Sequence, residues 1–173
     1  DKELYSKDLA DMVSEQLLQL GVTPVLYQGI NKGTCNFTPI IKKLKALNAD
    51  AVYFAGLYPE VSALAKTLNV LELQIPLITA DGIAVNKFIS NVGSNKISES
   101  VLMTFADNPR NLISSQAVIN KMHKNNLETT GYALYAYAAV ETIAHAIDNT
   151  NTTDGRTLAN WLHQHEVNTV LGK

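Results

Sequence analysis

The stretch AVYFAGLYPEVSALAKTLNVLELQIPLITADG, residues 51–82, contains a strand, a helix and a second strand, and it decides the fold. Ala51–Ala55 is a nearly continuous apolar run, which is typical of a strand covered on both faces of a sheet. Pro59 and Glu60 then open a helix, because proline and an acidic residue are both favoured in a first turn. A second apolar run, Ile75–Thr79, follows. This order predicts two parallel strands joined by a helical crossover.

Predicted elements on both sides of this stretch continue the alternation of helices and strands. Before it, the sequence predicts a helix over Tyr5–Leu20, a strand over Pro24–Tyr27 and a helix that begins near Asn36 or Thr38. After it come a short helix over Val85–Ile89, a strand over Val101–Phe105, helices over Ser114–Lys124, Tyr132–Ile147 and Asp154–His165, and a last strand over Thr169–Leu171. We therefore expect an α/β fold of three layers, α/β/α, around a mainly parallel, doubly wound sheet. The chain opens on a helix, whereas a doubly wound domain normally opens on a strand.

Length, composition and charge limit the classes of protein that fit. The 173 residues suit one domain, so we predict a single unit over 1–173. The 14 basic and 16 acidic residues form no basic block, which argues against a nucleic-acid binder. Apolar runs are shorter than the roughly 18–20 residues of a membrane span. Asp1 opens the sequence without an initiator Met or a signal peptide, so we expect a processed protein or an excised piece of a longer one.

The sequence offers little for catalysis, metal binding or cofactor binding. It contains no G-x-G-x-x-G, P-loop or G-x-S-x-G motif, so neither a phosphate-binding loop nor a nucleophile elbow is supported. His163 and His165 fall on nearly opposite sides of a helix, which is poor geometry for sharing a metal ion. Cys35 precedes a helix whose dipole could activate a thiol, but no His or Arg accompanies it. We predict no catalytic residue, no metal site and no cofactor.

Polar and aromatic residues at strand exits and helix starts form the candidate site. They are Tyr5, Tyr58, Asp81 and Tyr132. Tyr58 and Asp81 follow successive strands, and parallel strands end at one edge of a sheet, so these two residues should be neighbours. Tyrosine rings around one carboxylate suit an ammonium group on an apolar body, through charge pairing and cation–π attraction. The alternative is structural, because Asp-Gly is a common turn and tyrosines often pack at helix starts and on helix faces.

Four stretches carry a resemblance to a known family. They are DKELYSKDLA (1–10), FTPIIKKLKALNADAVYFAGLYPE (37–60), ITADGIAVNKFI (78–89) and TGYALYAYAAVETIAHAI (130–147), and the ending NTVLGK (168–173) fits as well. In this order they closely resemble the second lobe of the periplasmic leucine/isoleucine/valine-binding proteins of ABC importers. The resemblance covers nearly the whole chain.

The resemblance implies which residues contact a ligand. Family members have two α/β lobes, joined by a hinge, that close over an amino acid, and this chain corresponds to one lobe without the other. The family's contacts carry over to Tyr5 in Asp-Lys-x-x-Tyr, Tyr58 before Pro-Glu, Asp81 facing the ligand ammonium, and Tyr132 at the start of the Ala-rich helix. Departures at Ser6, Asn36 and Ser100 affect backbone turns more than ligand contacts.

A function and a location are implied in the same way. The expected activity is to bind a branched-chain or other aliphatic amino acid in the periplasm and to deliver it to the membrane subunits of an ABC permease, without catalysis. Three alternatives stay open: a binding protein for an amide or aromatic amino acid, a sensory or regulatory lobe, and, with least support, an enzyme with a flavodoxin-like sheet.

One strand of the family's sheet has no counterpart in this chain. It comes immediately before the Asp-Lys-x-x-Tyr turn and is central in the lobe. Leaving its neighbours unpaired would cost about 1–3 kcal/mol for each unmet backbone group. We therefore expect the sheet either to close up differently or to take a strand from a neighbouring copy, in a domain-swapped or strand-complemented homodimer.

Overall fold

Residues 3–173 are described by a computed structural model, in which the chain falls into two units. The first extends to Phe105, and the second runs from Ala106 to Lys173. Because the chain divides into two compact units, the single lobe predicted over 1–173 stays a prediction.

The first unit is built on a parallel sheet with helices packed against it. Its helices are α1 (Leu4–Gln19), α2 (Thr38–Ala46), α3 (Tyr58–Val70), α4 (Asn86–Val92) and α5 (Asn95–Ser98), and its strands are β1 (Val52–Phe54), β2 (Leu77–Thr79) and β3 (Val101–Met103). A 3-10 turn, Asp81–Ile83, follows β2. The strands lie in the order β1-β2-β3, with Val52 opposite Leu77 and Leu77 opposite Val101. The predicted α/β fold with a parallel sheet is thus confirmed.

Local sequence signals account for the ends of these helices. α1 ends just before Gly21, whose φ of 79° is a left-handed conformation that favours glycine. Pro39 and Pro59 stand in the first turns of α2 and α3, where a missing N–H breaks no helical hydrogen bond. The side chain of Asn36 accepts a hydrogen bond from the Thr38 N–H at 3.1 Å, which satisfies one of the free donors at the start of α2.

The apolar core of this unit lies between the sheet and the helices α2, α3 and α4. Phe37, Ile41 and Val61 are fully buried, and Leu77 of β2 belongs to the same cluster. The rings of Phe37 and Phe54 meet edge to face, with their centroids 6.1 Å apart. Each large apolar side chain buried in this way stabilises the fold by about 1.5–3 kcal/mol.

Two of the predicted strands are not formed in the residues that the structure describes. Pro24–Tyr27 is not a strand, and residues 22–30 have no regular secondary structure. The prediction is wrong because strand-forming residues need a partner, and no backbone hydrogen bond joins residues 23–30 to another described segment. Thr169–Leu171 is reduced to one antiparallel bridge between Thr169 and Gly172.

A groove of about 460 Å³ lies between β1 and residues 22–30. β1 is an edge strand, and within residues 3–173 no other strand takes the place beside it. The expectation that the sheet closes up differently is therefore wrong, since the space is left open instead. Exchange of a strand with a neighbouring copy stays a prediction.

The second unit is helical. Its elements are two 3-10 turns, Pro109–Asn111 and Ile113–Ser115, and the helices α6 (Gln116–Lys124), α7 (Gly131–Thr150) and α8 (Gly155–Leu162). The carboxylate of Asp154 accepts bonds from the hydroxyl and the N–H of Thr157 at the start of α8, and these bonds hold the pKa of Asp154 below its usual value. Three helices are thus confirmed close to their predicted positions. None of the described helices is both long and apolar enough to cross a membrane.

Candidate ligand-binding site

Asp81 and Tyr58 lie at the carboxyl edge of the sheet. Asp81 opens the 3-10 turn that follows β2, and Tyr58 is the first residue of α3, which follows β1. Because β1 and β2 are parallel, their exits lie at the same edge. Both side chains are partly buried.

Tyr5 and Asp81 are joined by a hydrogen bond across 76 positions of sequence. The Tyr5 hydroxyl donates to Asp81 Oδ1 at 2.8 Å, so the start of α1 lies at the carboxyl edge of β2. This bond, followed by partial burial and the charge of Asp81, raises the pKa of Tyr5 above its usual value. The Tyr5 hydroxyl therefore stays protonated at neutral pH and remains a donor.

A close backbone contact fixes the turn that carries Asp81. A Cβ at Gly82 would lie 2.5 Å from the carbonyl oxygen of Gly56, so only glycine fits there without a shift. Since Gly56 belongs to the connection between β1 and α3, the turns that follow β1 and β2 are packed directly on each other. The Asp81 carbonyl also accepts a hydrogen bond from the Ala84 N–H at 2.8 Å. The backbone that carries the Asp81 carboxylate is thus held by the contact with Gly56 and by the hydrogen bond from Ala84.

Tyr53 is a neighbour of this pair that the sequence analysis missed. It lies in the middle of β1, and its pKa is raised first by burial and then by the charge of Asp81. Tyr53 also makes a small contribution to the raised pKa of Tyr5. The signal in the sequence is a single hydroxyl inside the otherwise apolar run Ala51–Ala55, near the carboxyl end of a predicted strand.

Tyr58 packs on the apolar core and does not join the Tyr5–Asp81 pair. Its ring lies against the core cluster, and its backbone carbonyl accepts a hydrogen bond from the Ser62 hydroxyl at 2.6 Å. The structural alternative, a ring packed beneath the helix start, therefore describes Tyr58 in this structure. Its contact with a ligand stays a prediction.

Tyr132 belongs to the second unit. It stands in the first turn of α7, and 38% of the residue is exposed. The gathering of all four predicted residues around one ligand stays a prediction.

The part of the chain that the structure describes contains no group of His, Cys, Asp and Glu that could hold a metal ion. Cys35 is exposed. The His165 ring stacks on Trp161 with a centroid distance of 4.3 Å, and its Nδ1 is 2.7 Å from the Trp161 carbonyl oxygen. His123 Nε2 lies 3.0 Å from the Thr129 hydroxyl. Both histidines therefore have structural partners.

Comparison with known proteins identifies the family of the chain. The family described as periplasmic binding protein matches residues 2–173. The chain belongs to the periplasmic binding protein family. It is 35% identical over 173 residues to an amino acid binding protein of Pseudomonas aeruginosa and 33% identical to a Leu/Ile/Val-binding protein homolog of Brucella suis. These matches cover 100% and 99% of the chain but 46% of each relative, so this periplasmic binding protein chain spans about half the length of the curated relatives it matches.

Solved structures of periplasmic binding proteins share the fold. A leucine binding protein of Thermotoga maritima matches with a TM-score of 0.84 at 20% identity, over 99% of this chain and 49% of its own. A periplasmic binding protein type 1 of Bordetella pertussis matches with a TM-score of 0.81 at 18% identity, over 98% and 50%. At these identities the likeness concerns the fold, which is that of type I periplasmic binding proteins.

Proposed function

We propose that the chain supplies one half of an amino-acid site, in which Asp81 pairs with the ammonium group of the ligand. The observation that carries the proposal is the hydrogen bond from Tyr5 to Asp81 at the carboxyl edge of the sheet. It brings together two of the predicted ligand contacts at the edge where open α/β sheets bind ligands. A carboxylate has about four acceptor positions, so the Tyr5 bond and a bond from a ligand ammonium are compatible.

The aromatic residue beside Asp81 suits the same ligand. Tyr5 is 54% exposed, so its ring offers an apolar and quadrupolar surface to an arriving cation. A cation on an aliphatic body is the chemistry of an amino acid with an apolar side chain. Tyr58, at the start of α3, is the third contact of the first unit in this proposal.

The names of relatives support the ligand class. A Leu/Ile/Val-binding protein homolog and an amino acid binding protein are related over the whole chain, and one solved structure of the same fold is a branched-chain amino acid transporter substrate binding protein in complex with isoleucine. We infer a branched-chain amino acid as ligand, an extracytoplasmic location in the periplasm, and delivery to an ABC permease after two lobes close about a hinge. In this proposal the protein binds and releases its ligand unchanged and is not an enzyme.

The isolated chain tests the division of the site between two lobes. In this proposal it holds only half of the ligand contacts, so calorimetry with leucine should give a dissociation constant far weaker than micromolar. A micromolar or tighter constant would contradict the idea that half of the contacts come from elsewhere.

The role of Asp81 is tested in a two-lobed protein that contains this chain as one lobe, as this proposal has it. Asp81→Asn should lower the affinity for leucine by about 30-fold or more, because truncating one partner of a desolvated charge pair costs about 2–5 kcal/mol. Affinity for 4-methylpentanoate, which has the same body without the ammonium group, should not fall, because that ligand offers Asp81 no cation to pair with. Asp11→Asn, at an exposed acid on α1, is the matched control. Unchanged leucine affinity in Asp81→Asn would leave Asp81 as a turn residue.

Other ligands and a sensory role are separated by two further measurements. A panel of aliphatic, amide and aromatic amino acids identifies the preferred side chain. Deletion of the gene should abolish uptake of that amino acid if the protein serves a permease, whereas a sensory or regulatory lobe leaves uptake intact.

A further inference from the structure

The Asp81–Gly82 pair is a sequence in which side chain and backbone can react with each other. Glycine has no Cβ, so its backbone nitrogen is the least hindered one that can follow an aspartate. In that reaction the glycine nitrogen attacks the aspartate Cγ and a C–N bond forms. The carboxyl C–O bond breaks, and the OH leaves together with the amide proton as water. The product is a five-membered succinimide ring.

Hydrolysis of the ring returns the water and has two outcomes. Attack at Cγ restores aspartate. Attack at the main-chain carbonyl carbon breaks the original peptide bond, so that the chain continues through Cγ as isoaspartate. The backbone then contains an additional methylene group, and the carboxylate is attached to Cα. The reaction needs no oxidant, reductant or cofactor, so the fold around the pair controls its rate.

The fold restrains ring closure at Asp81 in three ways. The ring holds Cβ in the plane of the Asp81–Gly82 peptide, a conformation outside the helical range of the 3-10 turn that Asp81 opens. Leaving the turn breaks the bond from the Ala84 N–H to the Asp81 carbonyl and moves Gly82 away from the Gly56 carbonyl. The Tyr5 hydroxyl, which donates to Oδ1 at 2.8 Å, holds the carboxyl group in one orientation.

Asp154–Gly155 is the second Asp-Gly pair of the sequence and provides an internal reference. Asp154 is exposed, and its carboxylate accepts bonds from the N–H and the hydroxyl of Thr157. A Cβ at Gly155 would meet nothing within 4 Å. These bonds lie within the first turn of α8 and do not involve Tyr5. A change at Tyr5 therefore acts on the first pair and not on the second.

We propose that Asp81–Gly82 is a modification site at which isoaspartate forms spontaneously, and that Tyr5 protects it by holding the Asp81 carboxyl group. Tyr5 is in this respect a positioning residue. The reaction and its protection need no ligand. The consequence for binding rests on the proposed function, because isoaspartate removes the carboxylate from the place where Asp81 meets the ligand ammonium.

Incubation of the chain in heavy-oxygen water measures the reaction at both pairs, because each ring that hydrolyses takes up one labelled oxygen. Trypsin releases the two pairs in separate peptides, 67–87 and 125–156, and an isoaspartyl methyltransferase marks the isoaspartate in each. Labelling at Asp81 should be about tenfold or more slower in the folded chain than in the chain unfolded in urea, because two hydrogen bonds restrain the turn.

Three variants separate the role of Tyr5 from general stability. Tyr5→Phe should raise the labelling rate at Asp81 about two- to tenfold, the equivalent of one hydrogen bond, and leave the rate at Asp154 unchanged. Tyr27→Phe is the matched control, because it removes the same kind of bond from Asp11 elsewhere on α1 and should change neither rate. Asp81→Glu, whose longer side chain would have to close a larger ring, should abolish labelling of peptide 67–87.

Four results would overturn the proposal. An unchanged rate at Asp81 in Tyr5→Phe would remove the protecting role of Tyr5, and a rate that rises at both pairs would assign the protection to global stability. Labelling that is equally fast in the folded and unfolded chain would mean that the turn gives no protection. The absence of isoaspartate at Asp81 even in urea would mean that the pair is not a modification site.

The consequence for binding is measured separately, in the two-lobed protein. The loss of leucine affinity should follow the fraction of isoaspartate formed at Asp81. Full affinity in protein that carries isoaspartate there would contradict the proposed function, while the chemistry of the turn would stand.

Discussion

Two short segments of similar sequence adopt different structures in the first unit. IPLIT, residues 75–79, and PVLY, residues 24–27, each place strand-forming residues after a proline. The first forms β2 between two parallel neighbours, and Leu77 is 2% exposed. The second pairs with nothing among the described residues, and Val25 is 57% exposed. A strand therefore depends on its neighbours as much as on its own sequence.

The largest difference should appear when one leucine is removed from each segment. Leu77→Ala should lower the free energy of unfolding by about 2–5 kcal/mol, because it leaves a cavity in the core. Leu26→Ala removes the same atoms from a partly exposed position and should cost less than about 1 kcal/mol. Urea unfolding measures both, and equal losses would mean that the two segments are packed alike.

A smaller loss is expected when the turn after β2 is disturbed. Gly82→Ala should cost about 2 kcal/mol, because the new Cβ would lie 2.5 Å from the Gly56 carbonyl oxygen and the two turns must move apart. Gly155→Ala is the control, since its Cβ meets nothing within 4 Å. Thermal unfolding of both variants checks this, and a neutral Gly82→Ala would show that the contact between the turns is not needed.

The loop that follows PVLY is held by one buried carboxylate. Glu60 is 4% exposed, and its Oε1 accepts a hydrogen bond from the Gly33 N–H at 2.8 Å. Glu60→Ala should cost about 1–2 kcal/mol, and Glu60→Gln, which keeps an acceptor, should cost less. Hydrogen exchange at the Gly33 amide should speed up in Glu60→Ala. An unchanged exchange rate at Gly33 in Glu60→Ala would mean that Glu60 does not hold this loop.

The smallest expected effect concerns the contact between PVLY and α1. Asp11 accepts hydrogen bonds from Lys7 and from the Tyr27 hydroxyl, and these hold the pKa of Asp11 below its usual value. The contribution of these hydrogen bonds to the stability of the fold is therefore full above the ordinary pKa of an aspartate, about 3.9. It is lost as the pH falls through the lower pKa that Asp11 has in the folded protein. Tyr27→Phe should shrink this acid-side dependence of Tm and change little at neutral pH. An identical acid-side slope in both proteins would mean that the Tyr27 bond does not form in solution.

The sequence alone predicts the features of the fold and site that depend on local residue pattern or on the order of strands and helices. Apolar runs joined by a helix predict parallel strands, and parallel strands place Tyr58 and Asp81 at one edge. The open groove could not be predicted, because the pairing of PVLY depends on what lies beside it. Tyr53 was missed because periodicity assigns a strand residue to the core and does not report that its pKa responds to a carboxylate on a neighbouring turn.

The exposed thiol of Cys35 has a consequence for any measurement of assembly. A single cysteine has no internal partner, so oxidation would join two chains through their loops. Such a covalent pair would have the mass of a strand-exchanged dimer while leaving both grooves open. A dimer that persists in reductant is non-covalent, and one that disappears is a disulfide artefact.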